Sequence, residues 1–427
     1  MSSIKRENSL TQSFSADIAS SSDSKEEVKE QPPITFPDGG LRAWLNILGC
    51  FLLSFSSYGQ LNAFGVFQTY YAEHQLKNHT ASEISWIGSI QLVLTYFSGV
   101  ILGRVFDIYG AKGLLITGWI LSAFCLMMLS LSSTYYQILL SQGVGLGIGI
   151  AIQFYPLLAV PSHWFRSRRA IALGIVIAGS SLSGIIYPIV LSRLFASVGF
   201  GWTVRILAFI NFGCQAVAIP LVKERLPPRL GLPLVDVQAY KEPTFLYHCI
   251  TLYTPFWYIE IFSLQKGVNP NLSFYVISIM NAAGLLGRVI TGYLADKYGR
   301  FNTVIPITFL CGISSLAIWS TSTTVAEIIV FAVIFGATSA SYSSIAASCV
   351  SQITMEPSRV GARTGMFLLC LAPGILTGPS IAGAILGTSG HSNFLGLQIF
   401  VGVLLIAGGV AAVFARWSGA PKLWTKF

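Results

Sequence analysis

The stretch GYLADKYGR, Gly292 to Arg300, closes an apolar run with one acid and two bases in a chain whose charged residues make up only 10% of the total. A related stretch, GRVFDIYGAK, occupies Gly103 to Lys112. Gly103, Asp107 and Gly110 stand 189 positions before Gly292, Asp296 and Gly299, nearly half of the 427 residues. Such an offset points to an internal duplication, with each charged turn at the same place in its own half.

Outward from those turns the chain is apolar. Hydrophobic residues account for 53% and glycines number 41, and the mean hydropathy is +0.67. No ordinary soluble domain has that composition, so the class is a polytopic membrane protein. A hydrocarbon core of ~30 Å needs ~20 mostly apolar helical residues. Twelve segments qualify, at roughly 44–70, 83–103, 113–132, 136–160, 170–192, 202–222, 245–265, 272–295, 303–320, 325–350, 362–387 and 394–416. A transmembrane barrel would alternate in polarity over ~10 residues, which runs such as GWILSAFCLMMLSL do not. The expectation is an all-α membrane protein with twelve transmembrane helices in two six-helix halves.

A net charge of +9 raises nucleic acid as a partner, and the placement of the bases argues against it. With the N-terminus inside, 21 of the 26 Lys and Arg fall in the tails and even-numbered loops. The odd loops hold only Lys77, Arg193 and Lys266, while Arg205 and Arg288 lie within helices. That is the positive-inside pattern, so both termini are expected in the cytoplasm, with the bilayer and not nucleic acid as the large partner.

Residues 1–40 are polar and Ser-rich, the signature of a disordered cytoplasmic tail, and no apolar signal-peptide core follows Met1. The predicted organisation is a six-helix half over 41–222, a Pro-bearing connector over 223–244, a second half over 245–416 and a short tail over 417–427. The seven cysteines lack CxxC spacing, so no metal site, disulfide framework or cofactor is expected. The sequons at Asn78 and Asn271 fall in odd loops, where glycosylation agrees with the charge-based orientation.

The two Gly/Asp/Gly turns each follow the second helix of a half, and Gly174 and Pro188 of helix 5 recur as Gly365 and Pro379. Parallel repeats of this kind enclose a cavity near the midplane. GYLADKYGR resembles the loop 2 to 3 signature of the major facilitator superfamily. PDGGLRAW, Pro37 to Trp44, and HWFRSRRAIALGIVIAGSSLSGIIYP, His163 to Pro188, resemble signatures of its monocarboxylate porter branch, particularly fungal members. SIMNAAGLLGRVITGYLADKYGRFN and VGARTGM add to that likeness, which covers about residues 37–416.

In the gating motif, Gly103, Asp107, Gly110 and Lys112 and their counterparts Gly292, Asp296, Lys297, Gly299 and Arg300, glycine allows a tight turn and close helix approach. The carboxylate can accept bonds from a helix N-terminus. The resemblance implies a breakable latch that closes the cytoplasmic side, weaker in the first copy, where Ile108 replaces a basic residue. The alternative is that these charges only set topology. Arg166, Arg168 and Arg169 are expected to anchor helix 5 at the anionic leaflet.

Ionisable groups at membrane depth are costly and face aqueous cavities. Arg288, deep in helix 8, matches the arginine that contacts the substrate carboxylate in monocarboxylate carriers; the alternative is a structural tie. Arg205, Asn62, Asn281 and Gln153 are the other substrate-binding candidates, with Gln60, Gln91 and Asn211 as further polar groups. Animal proton-coupled lactate carriers place a lysine and an aspartate where this chain has Asn62 and Gly284, which argues against simple lactate–proton symport. The remaining acids, Glu260 and Glu327, lie near the outer face.

The expected function is secondary transport of a small organic anion, monocarboxylate-like, or a related metabolite by alternating access, with a proton as the candidate coupled ion. Export of a fungal secondary metabolite is the alternative, and a non-transporting nutrient sensor the second. The setting expected is the plasma membrane, with the vacuolar membrane next, and a monomeric carrier. No His pair, Ser/His/Asp set or metal-spaced cluster suggests an enzyme.

Overall fold

The computed structural model describes residues 36–225, 241–249, 262, 263, 266, 270–354, 359–388 and 394–419. The terminal tails, most of the connector and most of predicted helix 7, with Pro255 and Glu260, lie outside the described residues. What is described is helical throughout.

The first span, α1, begins at Leu41–Ser56, passes through a tight 3₁₀ segment, Tyr58–Ala63, and continues as Phe64–Glu73. The break has a local cause. Ser56 Oγ donates back to Leu52 O at 2.8 Å and Ser57 Oγ to Leu53 O at 2.6 Å, and such back-bonding loosens the i to i−4 ladder. The next span, α2, is likewise interrupted, as Ala81–Phe97 and Gly99–Tyr109, at Ser98, whose hydroxyl bonds Leu94 O.

The remaining spans of the first half are α3, Ala111–Leu129, and α4, which runs from Tyr135–Ile138 through a wide π segment, Leu139–Leu146, into Gly147–Ala159. One continuous element, Arg169–Leu221, then has 53 residues and folds back at Gly199, where φ is 73°. At 1.5 Å per residue it would reach ~80 Å, far beyond the ~30 Å core, so it is two spans, α5 before Gly199 and α6 after. In the second half, α7 opens at Pro243–Cys249, followed by α8, Pro270–Tyr298, and α9, Arg300–Ser314 with a π continuation, Ser315–Trp319. The last three are α10, Val325–Ile353, α11, Val360–Thr388, and α12, Leu395–Gly419.

Among the described residues seven helices are individually long and apolar enough to cross a bilayer, and the bent α2 makes an eighth. Dividing Arg169–Leu221 at Gly199 and adding α1 and α11 accounts for eleven of the twelve expected positions, and of the seventh only the first residues are described. Large apolar side chains of α3 and α6, including Ile120, Phe124, Phe209 and Val217, are exposed, which suits a face turned to lipid and not to water.

The core is divided in an instructive way. At the end carrying the turns after α2 and α8, here the motif end, one buried cluster draws on both halves, from Ile47, Phe106 and Leu173 to Tyr342, Ile345 and Phe367. Toward the other end the first half has its own cluster, with Phe67, Tyr71 and Leu126. The second half has another, with Met280, Trp319 and Phe331. Among the described residues the halves share apolar packing at the motif end and keep separate cores at the far end.

One sequence expectation changes here. Asn271 does not sit in a loop: it belongs to the first turn of α8. Asn78 stays in an exposed turn, yet the Thr80 of its sequon caps α2, accepting from Glu83 N–H in a capping box. Glu327 plays the same part for Thr324 at the start of α10, an N-terminal cap where a carboxylate is favoured.

Candidate functional site

The duplicated turn is built as its glycines require. Gly110 and Gly299 take φ of 77° and 106°, conformations that residues with a Cβ rarely adopt. Each turn then carries its acid to the N-terminus of a helix in the opposite half. Ala170 and Ile171 N–H, at the start of α5, donate to Asp296 Oδ1 and Oδ2 at 3.0 and 2.9 Å. Asp107 lies against Gly361 at the start of α11. Positive partial charge at those helix ends favours both carboxylates.

The two copies differ beyond that. Arg300 lies 3.9 Å from Asp296 and donates to Ser348 O and Arg166 O, so the second copy gathers α5, α8, α9 and α10. In the first copy Ile108 brings no charge, and Glu224 of the connector accepts from Ala111 N–H at the start of α3. Lys112 and Lys297 are exposed. Glycine permits the close crossings: a Cβ on Gly174 would stand 2.5 Å from Arg288 O, and one on Gly103 would stand 2.6 Å from Gly361 O.

Two stretches distant in sequence, Pro37 to Trp44 and the turn before α5, are joined by Asp38. Its N–H donates to Trp164 O at 3.0 Å, and its carboxylate accepts from Arg166 N–H at 2.6 Å, Ser167 N–H at 2.8 Å and Ser167 Oγ at 3.1 Å. Burial pushes the Asp38 carboxyl up, but the bonds from Arg166 and Ser167 outweigh it and hold the group below the usual carboxylate range. Arg169 departs from its expected place at the lipid surface. It is buried and donates to Phe165 O, Ser162 O and, in the other half, Ser351 O, because three carbonyls there satisfy a guanidinium better than the apolar face of α5 would. Arg363 and Glu242, paired at 2.9 and 2.6 Å in fork geometry, tie α11 to the end of the connector.

Deeper in the bundle, three of the five substrate-binding candidates converge on one stretch of α5, Ile177 to Gly184. Arg288 Nη1 donates to Ile177 O at 2.5 Å and to Ser180 Oγ at 2.9 Å. Asn62, on the 3₁₀ segment of α1, donates to Ser180 O at 2.8 Å. Asn281 packs on Gly184 and donates to Ile277 O of its own helix at 3.0 Å. Ser180 is thus a node shared by α1, α5 and α8.

The other two candidates lie elsewhere. Gln153 is fully buried and donates to Ser122 Oγ, binding α4 to α3. Arg205 donates to Ser130 Oγ and sits 5.2 Å from the Trp202 ring, at the far end of α3 and α6. Gln60 donates to Ser56 O and Asn211 accepts from Tyr187, each within the first half.

Beside the node stands a group that sequence reading did not name. Tyr58 of α1 stacks on Phe154 of α4 at 4.6 Å and 15°, and Tyr96 of α2 meets Phe154 edge-on at 5.9 Å. The two phenols are hydrogen-bonded at 2.6 Å, and Gly59, next to Tyr58, lies against Ser183 of α5, one turn from Ser180. One signal was available: Tyr58 opens the polar interruption YGQLN within an otherwise apolar helix.

With this geometry in view, the comparisons with known proteins are specific. The family model of the Major Facilitator Superfamily matches residues 50–354 and 244–426. The MFS transporter asaE of Aspergillus flavus is 40% identical over 93% of this chain and 92% of its own length. The aspyridones efflux protein apdF of Emericella nidulans is 37% identical over 95% and 85%. The agnestins efflux protein AgnL12 of Paecilomyces divaricatus is 37% identical over 88% and 87%. The crystal structure of the human organic anion transporter MFSD10 overlays with a TM-score of 0.64 at 14% identity, covering 90% of this chain and all of that one, a likeness of fold. These matches do not single out the monocarboxylate porter branch. Helical architecture, duplicated charged turn and similarity over most of the chain lead to one assignment: the chain belongs to the Major Facilitator Superfamily and is a multi-pass membrane transporter.

Proposed function

We propose that this transporter exports a fungal secondary metabolite, an organic compound carrying an acidic group, by alternating access. The observation that carries the reading is similarity over most of the chain to fungal MFS transporters, two of which are named as efflux proteins, for aspyridones and for agnestins. It favours the alternative over the transport of a small monocarboxylate-like anion first expected. Asn62 and Gly284, standing where lactate carriers have charged groups, agree with that shift.

The central site supports the substrate's charge. Arg288 is a cation deep in the bundle at the junction of the halves, and its planar fork suits a carboxylate or another delocalised anion. Its bonds to Ile177 and Ser180 hold α8 on α5 while the motif end is closed. An anion competing for those donors would loosen the contact, so ligand binding and reopening share one residue. Asp107 and Asp296 act as the latch, with both termini and the motif end in the cytoplasm. The plasma membrane is the setting in which export serves the cell.

The reading is tested by deleting the gene in its source organism and comparing metabolites inside and outside the cells. Export predicts that one or more acidic metabolites accumulate inside and fall in the medium, with recovery on re-expression. Unchanged partition of every detectable metabolite would overturn it.

A further inference from the structure

The aromatic group joins α1, α2 and α4 of the first half and has no part in the latch. Tyr58 packs against both the motif-end cluster and the far-end cluster of the first half, so it stands at mid-depth. Its neighbours on both sides of the membrane depth are buried, but Tyr58 and Tyr96 themselves remain partly accessible, and Asn62, one turn on, is exposed. Asn62 and Arg288 both bond Ser180 of α5, so this accessible surface lies beside the junction of the halves. Phe154 is buried behind. It covers one face of the Tyr58 ring.

We propose that Tyr58 and Tyr96 form the recognition face of the central site and that it selects a planar, conjugated organic anion. The proposal rests on the export reading for its location and deepens it by naming a ligand class. A flat π-system stacks on the other face of Tyr58, as aromatic pairs do. The Tyr58–Tyr96 hydroxyl bond fixes the ring plane, and Phe154 is a positioning residue that supports it from behind. Arg288 receives the acidic group through N–H donors. A saturated acid of the same size keeps the charge interaction and loses the stacking.

The test uses full-length protein in lipid nanodiscs and three probes: naphthoate, its saturated counterpart decahydronaphthoate, and the neutral naphthylmethanol. Stacking of ordinary strength gives naphthoate about fivefold tighter binding than the saturated acid. Tyr58→Leu should bring that ratio close to one, while Tyr58→Phe, which keeps the ring but loses the hydroxyl bond to Tyr96, should lower it only about twofold. Phe154→Leu should lower the ratio partway and leave the preference for acid over alcohol intact, whereas Arg288→Gln should abolish that preference. If Tyr58→Leu cannot be recovered folded, Tyr96→Phe removes one oxygen and should reduce the ratio about twofold by freeing the ring. A wild-type ratio near one, or a ratio unchanged in Tyr58→Leu or Tyr96→Phe, overturns the proposal. Failure of the export assay with the ratio intact would count against efflux and leave the ligand class standing.

Discussion

Arg288 illustrates how much a single residue's environment adds to its identity. As sequence it was a cation in a helix without an acid nearby; in the fold it bonds a carbonyl and a hydroxyl of α5. Arg288→Lys keeps the charge but cannot span both acceptors with a planar fork, so uptake of an acidic substrate into inverted vesicles should fall several-fold. Arg288→Gln should lower it at least tenfold, a loss of ~1.4 kcal/mol or more in binding. Normal uptake by well-expressed Arg288→Gln would make the residue purely structural. Asp38 allows a pH prediction. Its carboxyl is held below the ordinary value, so its contribution to stability is complete above the unfolded pKa of about 3.9 and fades as pH falls through the lower folded value. Thermal unfolding in detergent should show wild type keeping its advantage over Asp38→Asn from neutrality to about pH 4 and losing it progressively below that. A difference that stays constant well below about pH 4 would refute the assignment.

At the scale of elements, the same nine-residue turn is used twice with unequal reinforcement. Asp296 receives two N–H bonds from α5 and has Arg300 beside it; the first copy has Ile108 and a cap on α3 from Glu224. Asp296→Asn should therefore loosen the motif end more than Asp107→Asn. Each acid at a helix N-terminus contributes roughly 0.3–2 kcal/mol, enough to shift a two-state equilibrium severalfold. Labelling of a cysteine placed near the motif end should rise in both variants and more in Asp296→Asn, with surface expression maintained. Equal labelling in the two variants and wild type would leave the turns as topology signals alone. The turn's glycines, its carboxylate and its position after a second helix were legible in the residues. The receiving partners, Ala170 and Ile171, were not, since nothing local in a sequence tells which of several distant helix starts will dock.

For the whole molecule, the charge distribution predicts that both termini face the cytoplasm, because translocating Lys- and Arg-rich loops is unfavourable. Protease added to intact cells should spare epitope tags at both ends and should remove them after permeabilisation. Loss of either tag from intact cells would reverse the assignment of the motif end. The shared core at one end and separate cores at the other would then describe a carrier closed to the outside.

Hydropathy, the 189-residue offset and the basic loops determined by themselves that this chain is a duplicated helical membrane protein, since span length and the cost of burying charge act on local stretches of chain. They also picked out Arg288, Asn62 and Asn281, because a polar group at membrane depth stands out in any apolar run. Only the tertiary structure decided that those three meet on α5 while Gln153 and Arg205 bond within the first half. A helix's polar residues point to different neighbours according to rotation about its axis, and that rotation is set by packing against other helices. The Tyr58–Tyr96–Phe154 group was hidden for the same reason: its members come from three helices, and aromatic residues in a membrane span are ordinary until they face one another.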